Sequence, residues 1–156
     1  MRRDPFLQDL SRDHHAVLLL AQCVRRAPAD AGAHGKAVRN LRSFGPTLLL
    51  HFQEEELILF PQLRPEEAEP LLEDHRAVRA DLKELAVAGS LDADRLAAAG
   101  ERLRGHVQAE ERAFDRLQRD LGRRQVADLG AALLEFRRRH RPGAVGPGAS
   151  DFCLLD

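Results

Sequence analysis

The chain has 156 residues and a formal net charge of −1, with its arginines scattered among acidic residues, so the composition predicts no nucleic-acid surface. Its length suffices for one domain with a buried core, and no apolar run reaches the roughly 18 residues of a membrane span. The two cysteines, at 23 and 153, suggest no disulfide framework, and without a recognisable signal peptide we expect a cytoplasmic location.

The predicted fold class is all-α. Ala, Leu, Arg and Glu dominate the sequence and favour helices, whereas strand-favouring residues are scarce. A first helix is predicted to run to about Arg26 with Asp4 as its cap, followed by a loop over residues 28–35. A second helix is predicted over residues 36–63, and Pro46 inside it should kink or restart it.

Three more helices follow. The third is predicted to begin between residues 65 and 70 and to end at about Ala88, where a Gly-Ser pair follows. Asp92 or Asp94 is expected to cap the fourth helix. A shorter fifth helix is predicted over residues 124–139.

Four long helices with short connections predict an up-down-up-down four-helix bundle, and the short fifth helix is expected to pack outside it. We assign residues 1–140 to this domain. Residues 141–156, rich in Gly, Pro and Ala, are predicted to form a flexible C-terminal tail. Gly100 and Gly105 weaken the fourth helix locally and are expected to permit close packing.

Two short motifs each occur twice in the chain. Residues 51–56 read His-x-Gln-x-Glu-Glu, and so do residues 106–111. A Leu-x-x-Asp-His-x-x-Val motif occurs at residues 10–17 and again at residues 71–78. Predicted helices one and three therefore share one motif and helices two and four share the other, which indicates two helical hairpins that face each other.

The repeated residues predict a metal site inside the bundle. On a helix, positions i and i+4 share a face, so each His-x-x-x-Glu pair directs an imidazole and a carboxylate to one place. Burying such groups without partners is costly; iron, zinc or manganese would satisfy them together, and two carboxylates can bridge two ions. The predicted ligands are His14 and His51 for one metal, His75 and His106 for the other, and Glu55 and Glu110 as bridges.

Several neighbouring residues allow other interpretations. Glu54 and Glu111 are fallback ligands, and the run of glutamates at residues 54–56 is otherwise expected to be solvated. Asp13 and Asp74 adjoin predicted ligands and are either supports for them or solvated residues. Cys23 is expected in or near the core. Three further histidines are expected outside the site: His15, His34 and His140.

The motifs resemble the hemerythrin-like family, also called the HHE cation-binding domain. The matching pieces extend over about residues 6–118 and are Asp13-His14, His51-x-x-x-Glu55-Glu56, Asp74-His75 and His106-x-x-x-Glu110-Glu111. The resemblance implies a four-helix bundle with two non-heme iron ions. It also implies a centre that binds oxygen or responds to it.

The sequence departs from oxygen-carrying hemerythrins at two positions. Arg79 stands where those carriers have a further histidine, and Glu110 follows His106 at four residues where they have an aspartate at five. One imidazole fewer implies an open or water-filled coordination position. This argues against reversible oxygen carriage and favours reaction with oxygen, peroxide or nitric oxide, or a sensing role. A peroxidase-type oxidoreductase and a structural or storage metal module are the alternatives, so whether the chain is an enzyme stays open.

Overall fold

The computed structural model describes residues 4–140, which form five α-helices and no strand. The helices are α1 (Pro5–Arg25), α2 (Ala31–Glu54), α3 (Pro65–Ala88), α4 (Ala93–Asp120) and α5 (Arg123–His140). A π-helical turn (Glu55–Leu59) and a 3-10 turn (Phe60–Gln62) connect α2 to α3. The all-α prediction is confirmed. The predicted tail, residues 141–156, lies outside the described residues.

Three helix ends lie at the residues that the sequence predicted. Asp4 accepts a hydrogen bond from the Phe6 N–H (3.3 Å) at the start of α1. Asp92, one of two candidates, caps α4 by accepting from the Arg95 N–H (2.8 Å). α3 ends at Gly89, whose φ of 78° lies in the left-handed region that glycine adopts without a steric penalty.

The predicted loop over residues 28–35 was too long. Asp30 is an N-cap in extended backbone, and its carboxylate accepts a hydrogen bond from the Ala33 N–H at 2.7 Å. This cap satisfies one of the free N–H groups of the first turn. α2 therefore begins at Ala31, despite the glycines that follow it.

Of the two outcomes expected at Pro46, a kink or a restart, the restart does not occur, because α2 continues through this residue. A proline removes only one backbone hydrogen bond. On either side of it, Phe44 and Leu48 are buried in the core, so packing holds the segment in the helix. The regular α-helix ends later, at Glu54, where the π-helical turn begins.

The helices pack around two apolar clusters. α1 contacts α2 and α4, α3 contacts the same two helices, and α5 lies against α1 and the π-helical turn. The first cluster includes Leu20, Leu48 and Leu103. The second includes Leu10 and Phe114. No helix in residues 4–140 has the length and apolar character needed to cross a membrane.

Gly100 and Gly105 give a matched test of helix packing. A Cβ on Gly100 would lie 2.8 Å from the Ala21 carbonyl oxygen and 2.9 Å from the Arg25 nitrogen, whereas a Cβ on Gly105 meets nothing within 4 Å. Gly100→Ala should therefore destabilise the fold by about 1–3 kcal/mol through overpacking. Gly105→Ala should stabilise it by about 0.5–1 kcal/mol. Urea unfolding measures both, and equal effects would contradict the close approach of α1 and α4.

Glu67 predicts a pH dependence of stability. Hydrogen bonds from Arg64, and then from Arg116 on α4, lower the pKa of Glu67 from 4.5 to about 2. A lowered folded-state pKa contributes stability above the unfolded value, and this is lost as the pH falls towards 2. Glu67→Gln should cost about 1 kcal/mol at pH 7 and clearly less at pH 3. Urea unfolding at both pH values checks this, with the exposed Glu66→Gln variant as control.

Candidate metal centre

A polar layer separates the two apolar clusters. Along α1, His14 lies between Leu10 of one cluster and Val17 of the other, and along α3 His75 lies between Leu71 and Val78 in the same way. The six predicted ligands are at most 3% exposed. In the described part of the chain, the other buried polar side chains are Asn40 and Glu54. The layer is thus built almost entirely from the residues predicted to bind metal.

The six side chains form two groups that share their carboxylates. Within each group, one ligand atom of every residue lies within 4.8 Å of the others. The groups are His14, His51, Glu55 and Glu110, and Glu55, His75, His106 and Glu110. This pairing is the one predicted from the sequence motifs, with one histidine pair in each group and both glutamates in both groups.

Glu55 directs its two oxygens to different histidine pairs. Its Oε1 lies 3.1 Å from His51 Nε2 and 3.3 Å from His14 Nε2. Its Oε2 lies 3.6 Å from His75 Nε2, in the other group. A carboxylate in this position can provide one oxygen to each of two ions.

Glu110 is divided in the same way. Its Oε2 lies 3.3 Å from His14 Nε2, whereas its Oε1 lies 3.0 Å from His106 Nε2 and 3.8 Å from His75 Nε2. The two glutamates therefore span both histidine pairs from different helices.

The donor atoms of the layer fit a pair of metal ions. Both Glu110 oxygens and the Glu55 Oε2 are buried and accept no hydrogen bond from residues 4–140. His75 Nε2 and His106 Nε2 lie only 2.9 Å apart, and two imidazole lone pairs at that distance repel unless a proton or a cation lies between them. Imidazole nitrogens and carboxylate oxygens are ligands that suit iron, manganese and zinc. The residues present could therefore hold metal.

The close packing of these ionisable side chains also shifts their pKa values when no metal is bound. Burial, and then the neighbouring Glu110 carboxylate, raise the pKa of Glu55. Burial also disfavours charge on Glu110, but the positive charges of His106 and His14 outweigh it and lower the pKa of Glu110. Burial and the charge of His106 lower the pKa of His75 to about 4. Protons and charges are thus shared across the layer, and bound metal would displace these protons.

Each histidine has a carboxylate at its outer nitrogen. His14 Nδ1 donates a hydrogen bond to Glu111 Oε1 (2.5 Å), and His75 Nδ1 donates to Glu56 Oε1 (2.7 Å). A carboxylate at Nδ1 places the proton there and leaves the Nε2 lone pair directed inward.

The other two histidines have aspartates in the equivalent position. His51 Nδ1 lies 3.7 Å from Asp13 Oδ2, and His106 Nδ1 lies 3.4 Å from Asp74 Oδ2. Of the two interpretations that the sequence left open for these aspartates, the structure favours support of the histidines over simple solvation.

Arginines bind three of these four carboxylates from outside. Arg79 donates two hydrogen bonds to Glu56 (2.6 and 3.2 Å), and Arg102 donates to Asp74 (3.0 Å). Arg137, on α5, donates to Asp13 (2.8 Å). No pattern in the sequence had paired these arginines with these carboxylates, because each contacts a carboxylate on another element.

The expectation that Glu54 and Glu56 are solvated was wrong. Glu54 is fully buried and accepts two hydrogen bonds from Arg137 (2.6 and 3.0 Å). Glu56 is partly buried between His75 and Arg79. The π-helical turn begins at Glu55, and such turns occur often at functional sites. Here three consecutive glutamates point in three directions: Glu54 contacts α5, Glu55 lies in the polar layer and Glu56 contacts α3.

The remaining histidines lie outside the layer, as predicted. His15 is exposed on α1, and His140 ends α5 beside Phe136. His34 lies in α2 rather than in a loop, and its Nε2 donates a hydrogen bond to the Leu91 carbonyl (2.8 Å).

Comparison with known proteins gives one family match. A family model described as the hemerythrin HHE cation binding domain matches residues 6–117, a range that contains all six side chains of the polar layer. No curated protein and no solved structure gave a match.

The shared carboxylates predict the effect of a double substitution. Glu55→Ala combined with Glu110→Ala should abolish the binding of two metal ions and leave the helix content largely intact, because the helices are held by the apolar clusters. Metal analysis and circular dichroism measure the two effects. The control is Glu66→Ala combined with Glu69→Ala, two exposed glutamates on α3. Two ions per chain in the Glu55/Glu110 variant would rule out the bridging role.

Proposed function

This chain belongs to the hemerythrin HHE cation-binding domain family, and from that premise we propose that it is a non-heme di-iron protein that binds or senses a small ligand. The ligands in question are oxygen, peroxide and nitric oxide. The observation that carries the proposal is the sharing of Glu55 and Glu110 between two histidine pairs. A site for one ion needs no carboxylate whose two oxygens face different imidazole pairs.

In this proposal His14 and His51 hold one iron, His75 and His106 hold the other, and the two glutamates bridge them. Bound iron would supply the redox chemistry and the affinity for small ligands. The protein's own contribution is to orient the imidazoles, since an outer carboxylate at Nδ1 fixes each ring and makes its Nε2 a better donor. The apolar clusters above and below the layer exclude bulk water from it.

Arg79 supports a centre with an open coordination position. It replaces the additional histidine of oxygen carriers, and its guanidinium binds Glu56 and lies 5.7 Å from the centre of the Phe52 ring. A guanidinium stays protonated and donates no lone pair to a metal. Four imidazoles therefore remain, and the proposal favours sensing or reaction over reversible oxygen carriage.

The finer features of the fold belong to the same proposal. We place α1 to α4 in an up-down-up-down bundle, with residues 1–140 as the domain and α5 outside the four. We also propose a cytoplasmic location, because the chain has two cysteines and no disulfide pattern.

A structural metal site is the second candidate function. The observation that favours it is the position of the polar layer between the two apolar clusters, where metal would neutralise buried charge whatever its redox chemistry. Zinc could serve in that role. Manganese is a further alternative for the same donors. The oxidoreductase alternative rests on the same centre and differs in requiring turnover with peroxide.

Metal content and absorption spectra test the proposal. We expect about two irons per purified chain, and a visible band that develops when the reduced protein meets air. The Glu55/Glu110 double variant, treated identically, should show neither. Zinc in the purified protein, or an iron-loaded protein whose spectrum does not respond to oxygen, would contradict the oxygen-reactive proposal and favour the structural site.

A further inference from the structure

A third set of metal-type donors lies on the outer side of His51. One ligand atom each from Asp13, His51 and Glu54 fall within 4.8 Å of one another. His51 Nε2 faces Glu55 in the polar layer, whereas its Nδ1 faces Asp13. The two carboxylates supply oxygen donors that can attract a divalent cation, while the Nδ1–H of His51 keeps its proton as Nε2 faces the layer.

The positively charged side chain of Arg137 already lies between Asp13 and Glu54. Arg137 Nε donates a hydrogen bond to Glu54 Oε1 (2.6 Å), and Arg137 Nη2 donates to Glu54 Oε2 (3.0 Å). The same Nη2 also donates to Asp13 Oδ2 (2.8 Å). Glu54 is fully buried and the Asp13 side chain is 12% exposed. The guanidinium thus neutralises carboxylates that would otherwise carry uncompensated charge next to His51.

Arg137 comes from a part of the chain beyond the family match. It lies on α5, whereas the match ends at residue 117. Arg137 also lines a groove of about 700 Å³ between α5 and the start of α1, together with Asp9 and Leu133. An ion can therefore approach Asp13 and Glu54 from solvent once the guanidinium is removed.

We propose that Arg137 is a positioning residue that takes the place of a third metal ion. Its guanidinium binds Asp13 and Glu54, so that Asp13 stays beside His51 Nδ1 and neither carboxylate recruits a cation. α5 thereby limits the centre to two ions and keeps the His51 imidazole directed into the polar layer. The inference deepens the proposed function and rests on it for the two ions of the unmodified protein.

Counting bound cobalt(II) tests the inference. Full-length metal-free chain is saturated with Co²⁺ and freed of excess, and the ions per chain are measured. Wild type should hold about two ions and Arg137→Ala about three, because the vacated carboxylates of Asp13 and Glu54 then bind a further ion. Arg138→Ala is the matched control, since Arg138 lies on the same helix, is exposed, and forms its ion pair with Glu135 of that helix. It should hold about two ions, like wild type.

Three further variants separate this role from a merely structural one. Arg137→Lys loses the bidentate fork but keeps a positive charge, and this charge by itself should return the count to about two ions. Glu54→Gln added to Arg137→Ala removes a donor of the third site and should also return it to about two. Arg137→Gln, which retains hydrogen-bond donors but no charge, should gain the third ion even if Arg137→Ala fails to fold.

The outcomes distinguish the two proposals. If neither Arg137→Ala nor Arg137→Gln binds more cobalt than wild type, the inference about Arg137 is overturned. If wild type itself binds fewer than two ions, the dinuclear proposal fails. An increase of one ion between wild type and the neutral variants still supports the role of Arg137 in that case.

Discussion

The structure depends on burying two carboxylates and four imidazoles in one layer between apolar side chains. Moving a charged group out of water costs several kcal/mol unless an opposite charge and hydrogen bonds compensate it. Glu55 and Glu110 are fully buried, so this cost bears directly on the stability of the bundle. Imidazoles on neighbouring helices, and metal in the proposed holoprotein, are what compensate it. The helices must therefore keep a common register at this level, and the apolar clusters on either side maintain it.

Further charged side chains surround the buried layer, and their sign alternates from the inside outwards. The imidazoles face inward to carboxylates and outward to a second set of carboxylates, three of which contact arginines. The arginines Arg79 and Arg102 belong to α3 and α4, whereas Arg137 belongs to α5. Each shell orients the one inside it, because an arginine fork restricts a carboxylate and the carboxylate restricts a ring. Membership in a metal-binding family and this arrangement of charges support the same proposed function from independent sides.

The π-helical turn after α2 shows how local backbone structure distributes function. In three successive residues the chain provides Glu54 to α5, Glu55 to the polar layer and Glu56 to His75. Residues that follow one another on a helix point in different directions, and the wider π-helical turn begins where the middle one must reach the layer. α5 is anchored through the first of these glutamates, which links a helix beyond the matched family range to the candidate centre.

Sequence alone determined the helical class, most helix ends and the six polar residues of the layer. These features are local or periodic: Asp4 and Asp92 act on their own helix ends, and the spacing of His51 and Glu55 or His106 and Glu110 fixes a shared face. Tertiary structure decided what depends on packing between elements. Burial of Phe44 and Leu48 carries α2 through its proline, and Arg137 makes Glu54 a buried ion-pair partner rather than a solvated charge. The Arg137–Glu54 pair joins residues 83 positions apart, and no helical period encodes which arginine meets which carboxylate.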